Sequence, residues 1–166
     1  MLIDASYFTK GFRRIANTTL GVMPNPQAAE VLTFIQGHID HYEPRFLRDM
    51  FGDICGERIA RYVHDKDTQA DIYDADMERL CDRLREPCAD YVYFHIVRDI
   101  MSSTTINGQV RYKSADTYVS PIRRQTDAWN DMVDRNRGLA VWLRGCRRLD
   151  LSIRDEMLTK VNVLNL

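Results

Sequence analysis

Four residues within one short stretch, His38, Asp40, His41 and Glu43, are of types that bind metal ions or move protons. Histidines three apart stand on adjacent turns of a helix, and two such imidazoles can share a metal. A zinc hydrolase asks for more: no HExxH is present and no third ligand is apparent. The ordinary alternative is a solvated polar helix face. Asp65, Asp67, Gln69, Asp71 and Asp76 copy the ligand spacing of a calcium loop. The sixth position of such a loop is glycine and the twelfth glutamate, for the sharp turn and the bidentate ligand. Here those positions hold Ala70 and Asp76, so the weak possibility of a metal at His38/His41 or at Asp65–Asp76 stays beside a reading with no cofactor and no metal.

Nucleophilic chemistry has less support. There is no GxSxG, and no cysteine has a recognisable histidine context. His95 lies in an apolar helix, where a hydrogen-bonded core histidine is commoner than a base. Neither GxxxxGK[ST] nor GxGxxG occurs. Arg137, Arg144, Arg147 and Arg148 make one helix end basic. Cations suit a helix C-terminus in any case, so a nucleic-acid site is not required there.

Periodicity sets out the helices that carry these residues. Asn25 caps and Pro26 opens a first helix whose stripe is Ala28, Val31, Leu32, Ile35, Ile39 and Tyr42. Glu43-Pro44 is expected to interrupt it. A second helix spans 44–51, Gly52 bends the chain, and 54–63 is helical again. Residues 64–73 read as a polar loop. A helix runs from about Asp74 to Arg85, and Pro87 opens the next, apolar nearly all round from Tyr91 to Ile100 and therefore central. Ser120-Pro121 starts the last long helix, with Ile122, Trp129, Met132, Val133, Leu139, Ala140 and Leu143 in its stripe. Ser152 could cap a short helix within 149–158. The expected core includes Ile35, Phe94, Val97, Trp129 and Val133.

Asn107-Gly108 between β-branched residues is the strongest short-range hairpin signal, since a type I′ turn needs positive φ at both central positions. The fold class expected is therefore mainly α: a helical bundle with an inserted β-hairpin between the last two long helices and an extended C-terminal tail. Residues 1–24 form an N-terminal arm with tucked aromatics, 25–148 the bundle with its hairpin at 104–119, and 149–166 the tail. The hairpin and tail carry too little apolar surface to stand alone. Ile106, Asn107, Gly108, Val110, Arg111, Tyr112, Val161, Val163, Leu164 and Leu166 are accordingly the candidate contacts with a neighbouring subunit or partner.

The chain of 166 residues, 45% hydrophobic and 28% charged, has an ordinary globular balance. Its net charge of −1 gives no field to recruit nucleic acid or an anionic membrane. No apolar run approaches the roughly 20 residues that span a bilayer. No signal peptide is evident. Cys55, Cys81, Cys88 and Cys146 form no CxxC pair and read as reduced thiols of a cytoplasmic protein.

Ile39-Asp-His-Tyr-Glu-Pro-Arg-Phe-Leu-Arg-Asp-Met-Phe-Gly52 resembles a motif of small structural proteins from phages and prophages of Bacteroidota. The second motif of that family is similar to Tyr91-Val-Tyr-Phe-His-Ile-Val-Arg-Asp99, then Thr104-Thr105, Val119-Ser-Pro121 and Ala128-Trp-Asn-Asp-Met-Val133, in the same order and spacing. The resemblance covers roughly residues 28–143. It implies a virion structural protein, a head–tail connector adaptor of the neck, helical with an inserted hairpin. Such adaptors form rings, usually twelve-fold, by assembly rather than catalysis. The implied partners are further copies, a portal protein and tail or neck proteins, with DNA only as cargo through the lumen and no membrane. The implied places are the virion neck and, during assembly, the host cytoplasm. The alternatives are a tail-terminator or head-closure protein and, in another class, a helical nucleic-acid-binding or regulatory protein. No enzyme is expected.

Overall fold

A sharp corner at Gly52 organises the bundle. In the computed structural model, residues 1–16, 18, 26–68, 73–101, 104–105, 108–109, 121–146 and 148–162 are described. The first long helix, α1, spans Pro26–Thr68 and departs from helical geometry only at Gly52, with φ 78° and ψ 168°. That left-handed φ suits glycine, which has no Cβ to clash. The chain then turns back on itself so tightly that a Cβ on Gly56 would stand 2.6 Å from the carbonyl oxygen of Leu47. In a straight helix these residues would be separated by about 13 Å of rise. The bend expected at Gly52 is thus present.

The break expected at Glu43-Pro44 is not: α1 carries Pro44 inside it. Proline there removes one hydrogen bond, at a cost of about 3 kcal/mol in a helix interior. The neighbours offset this by burial, with Tyr42 7%, Phe46 0% and Leu47 1% exposed. Glu43 adds a tie, its Oε2 accepting from the amides of Leu2 at 2.9 Å and Ile3 at 3.4 Å. Burial raises the pKa of this carboxyl, and the two amides act against that. The helix also continues through 64–68, where a loop was expected.

The next helix, α2, spans Ala75–Met101 and is continuous through Pro87, so the two separate helices expected here are one. Asp74 caps it: Oδ1 accepts from Asp76 at 2.9 Å and Met77 at 3.2 Å. Those bonds lower its pKa. As its all-round apolar character predicts, α2 is central and packs against both α1 and the last helix, α3 (Pro121–Gly145). Its residues Tyr91 to Ile96 are all buried. Ile35, Phe94 and Val133 are buried as expected, whereas Val97 and Trp129 are only partly so.

The inserted β-hairpin is corrected. The chain is mainly helical, with three long helices. Among the described residues strand pairing amounts to Thr104↔Gln109 and Thr105↔Gly108, the extent of a turn. The turn chemistry of Asn-Gly favours a reversal, and two facing residue pairs make a turn rather than a standing sheet; residues 102–103, 106–107 and 110–120 lie outside the described residues.

The arm lies on the bundle. Asp4 caps a 3₁₀ turn at Ala5–Phe8, and Leu2, Ile3 and Phe8 are buried. After α3 the chain runs back as a strap. Arg58 donates to the Leu149 carbonyl at 3.1 Å, and the amide of Arg154 donates to the carbonyl of Met50 at 2.9 Å. That carbonyl belongs to the turn interrupted at Gly52. In place of the helix expected from a Ser152 cap, a 3₁₀ turn forms at Asp155–Leu158 without a side-chain cap.

Candidate functional site

Antiparallel packing of the first half of α1 on α2 brings the singled-out histidines beside the end of α2. Phe34, His38 and Tyr42 stand at four-residue intervals, on one face of α1. Their rings form a ladder: Phe34 to His38 at 4.2 Å and His38 to Tyr42 at 5.9 Å. The ladder continues into α2, where Tyr42 stacks on His95 at 4.0 Å with planes 6° apart. His95 then meets Tyr91 at 4.6 Å and Phe94 at 5.1 Å, and Phe94 meets Trp129 at 5.2 Å. A row of rings therefore links the outer face of α1 to α3.

Above the ladder, an open cleft of ≈ 410 Å³ is lined by Thr33, Phe34, Gly37, His38, His41, Tyr42 and Asp99. Three of the lining residues, His38, Tyr42 and Asp99, are engaged with one another. Nδ1 of His38 is 2.9 Å from the carbonyl of Phe34 and Nε2 is 3.3 Å from Asp99 Oδ2. The Tyr42 hydroxyl donates to the same Oδ2 at 3.2 Å and accepts from Arg98 Nη2 at 2.9 Å. Arg98 Nε donates to Asp99 Oδ1 at 3.1 Å. Burial, then the charge of Asp99, raises the Tyr42 pKa. This circuit fastens the first half of α1 to the end of α2.

His95 is buried, as its apolar helix predicts, but neither ring nitrogen has a hydrogen-bond partner. Burial, followed by the charges of Arg98 and Arg45, pushes its pKa down to about 3. The ring is therefore a neutral member of the stack. Asp40 is held by Gln36 at 2.8 Å and Glu43 faces the arm, so neither joins His38 and His41. Asp65 and Asp67 lie on α1 while Asp76 lies on α2; Gln69 and Asp71 fall outside the described residues. Among the described residues, no group of three His, Cys, Asp or Glu side chains could hold a metal ion. The four cysteines are free. Burial pushes the Cys81 thiol up to about 11 and the Cys88 thiol well above its ordinary value.

Two arginines of the basic cluster, Arg137 and Arg148, are engaged within the chain, while Arg144 is exposed and Arg147 lies outside the described residues. Arg137 donates to the Leu158 carbonyl, and Arg148 pairs with Asp74 at 3.6 Å and Asp76 at 3.5 Å. Of the expected interface residues, Gly108 lies in the short bridge and Val161 is bound to Asn130 of its own chain. Ile106, Asn107, Val110, Arg111, Tyr112, Val163, Leu164 and Leu166 lie outside the described residues.

Sequence reasoning missed a buried polar centre on the other side of α2. Asp90, 2% exposed, accepts from Arg13 Nη1 at 2.6 Å and Arg135 Nη1 at 2.9 Å. Arg13 also reaches Glu86 at 2.5 Å, pinning the arm to α2. Burial raises Asp90 to about 6 against the pull of both guanidinium groups. The available signal was a charged residue next to the apolar run that begins at Tyr91. No helix among the described residues is long and apolar enough to cross a membrane. The chain matches no known protein-family model, no curated protein and no solved structure.

Proposed function

We propose that this chain is a virion structural protein, a head–tail connector adaptor that works by assembling into a ring between portal and tail rather than by catalysis. What supports the reading is that the segments carrying the resemblance meet in space. Tyr42, Phe46 and Asp49 of the first motif contact Tyr91, His95 and Asp99 of the second. Tyr91 and Phe94 in turn contact Trp129, in the last segment of the second motif. The likeness therefore concerns one packed unit, the intersection of three helices, rather than scattered residues. Phe34 in the first half of α1, Ile100 at the end of α2 and Ile122 at the start of α3 are each more than a third exposed. Exposed apolar side chains of this kind are what a subunit contact uses.

In this reading copies of the chain, a portal protein and tail or neck proteins are the partners, and DNA passes through the lumen. The test is native mass spectrometry of the purified protein with negative-stain microscopy. Closed rings of uniform stoichiometry, alone or on addition of portal, are expected. A strictly monomeric species that also fails to bind portal particles would exclude the adaptor role.

A further inference from the structure

From Met157 to Val161, α3 grips the strap through backbone groups. Asn136 Nδ2 donates to the Met157 carbonyl at 2.9 Å, Arg137 Nη2 to Leu158 at 2.9 Å and Trp129 Nε1 to Thr159 at 3.0 Å. Asn130 then forms a reciprocal pair with Val161. Its Nδ2 donates to the Val161 carbonyl and its Oδ1 accepts from the Val161 amide, both at 3.0 Å. One side-chain amide thus does what an adjacent strand would do. Of the strap side chains from Asp155 to Asn162, Met157 alone is buried, at 2% exposed. Recognition rests on backbone shape and one apolar anchor.

We propose that this face of α3 is an exchangeable docking track, and that its second occupant is residues 151–162 of a neighbouring copy. The proposal rests on the assembly reading above and names a contact by which copies join. The contacts are the same whether the strap comes from its own chain or from a neighbour, so their energies cancel. What decides is the connection and the local concentration. The connection contains Asp150 at φ 46°, the single non-glycine residue with positive φ among the described residues. Opening there relieves a left-handed conformation that a residue with a Cβ adopts at some cost. Leu149, buried and held by Arg58, stays behind as the pivot. In a ring the neighbour's strap is tethered close by, so its effective concentration is high.

The native ion pair between Lys160 Nζ and Asp134 Oδ2, 2.7 Å apart, supplies the assay. A carbodiimide joins such a pair as an amide, with the carbodiimide taking up the elements of water. Light and nitrogen-15-labelled chains would be mixed while dissociated, allowed to assemble, coupled and digested. The cross-linked peptide containing Asp134 and Lys160 would then be weighed. Exchange predicts that about half of these links in the assembled fraction join a light to a heavy peptide. In dilute monomer every link should join peptides of one label. Assembled rings whose links all carry a single label would overturn the track while leaving the adaptor reading in place. Failure to assemble at any concentration, with or without portal particles, and with single-label links throughout, would remove both.

Discussion

His95 and Asp90 lie little more than one turn apart on α2, with 4% and 2% exposure, and the fold treats them in opposite ways. On the α1 side, His95 is enclosed by rings and left without a hydrogen-bond partner. On the side of the arm and α3, Asp90 is clasped by two guanidinium groups from separate parts of the chain. A buried imidazole can shed its charge and serve as an aromatic surface. A carboxylate facing two arginines stays largely charged at neutral pH, although burial raises its pKa to about 6, and becomes a fastening between elements. One side of the helix is thus stacked and neutral, the other ionic and tied to distant sequence.

The largest effect should come from cutting the ionic side. Arg13→Ala removes the arm's grip and leaves Asp90 with Arg135 alone. Breaking a buried pair in this way costs about 3–5 kcal/mol, to be read from urea unfolding monitored by circular dichroism. A loss below about 1 kcal/mol would mean that Arg135 suffices and the arm is not held by charge.

The neutral side should be broken by acid. A histidine with pKa 6.5 when unfolded and about 3 when folded binds its proton more readily in the unfolded chain. Its contribution is therefore intact above pH 6.5 and declines as pH falls towards 3, by roughly 1.4 kcal/mol per unit, or about 3 kcal/mol by pH 4. His95→Phe keeps a ring against Tyr42 and should reduce the acid slope relative to wild type. Equal slopes in thermal melts from pH 7 to pH 4 would show that the stack does not exclude the proton.

At the corner, Gly56→Ala places a methyl against the backbone of Leu47 and should cost about 2–3 kcal/mol in the same unfolding assay. The smallest effect expected is at the strap. Asn130→Ala removes two backbone contacts and should cost about 1 kcal/mol, with faster hydrogen exchange confined to Val161 and its neighbours.

The contrast between glycine and proline shows what sequence conveys about this fold. Both Gly52 and the prolines at 44 and 87 look like breaks, but only Gly52 is one. Glycine's positive φ is a conformational preference that the chain expresses directly. Proline's lost hydrogen bond is an energy that burial can offset, and Tyr42, Phe46, Cys88 and Ala89 are all buried around the two sites. The apolar stripes and the central place of the second long helix were legible because period and face carry them. The Asp99 circuit and the Arg13–Asp90 clasp were not, because they join residues 57 to 77 positions apart by single contacts. The track had a faint signal. Asn136 shares the stripe of Met132, Val133, Leu139 and Leu143 and is fully buried there, and an amide on an apolar face implies a backbone partner. The hairpin failed for another reason: Asn-Gly specifies a reversal, not the length of the strands on either side of it.

The position of Trp129 gives the strap an optical signature. Its indole is flanked by Phe94 and Tyr91 and donates to the Thr159 carbonyl. The chain's second indole, Trp142, lies under the guanidinium of Arg83 at 5.0 Å. Undocking the strap would let water reach the Trp129 N–H while leaving Trp142 as it is. Tryptophan emission should then move to longer wavelength before any helix melts, and Trp142→Phe would isolate that change. The same light would follow a strap leaving its own helix for a neighbour's, because in both states the indole regains a carbonyl and only the interval between them is wet.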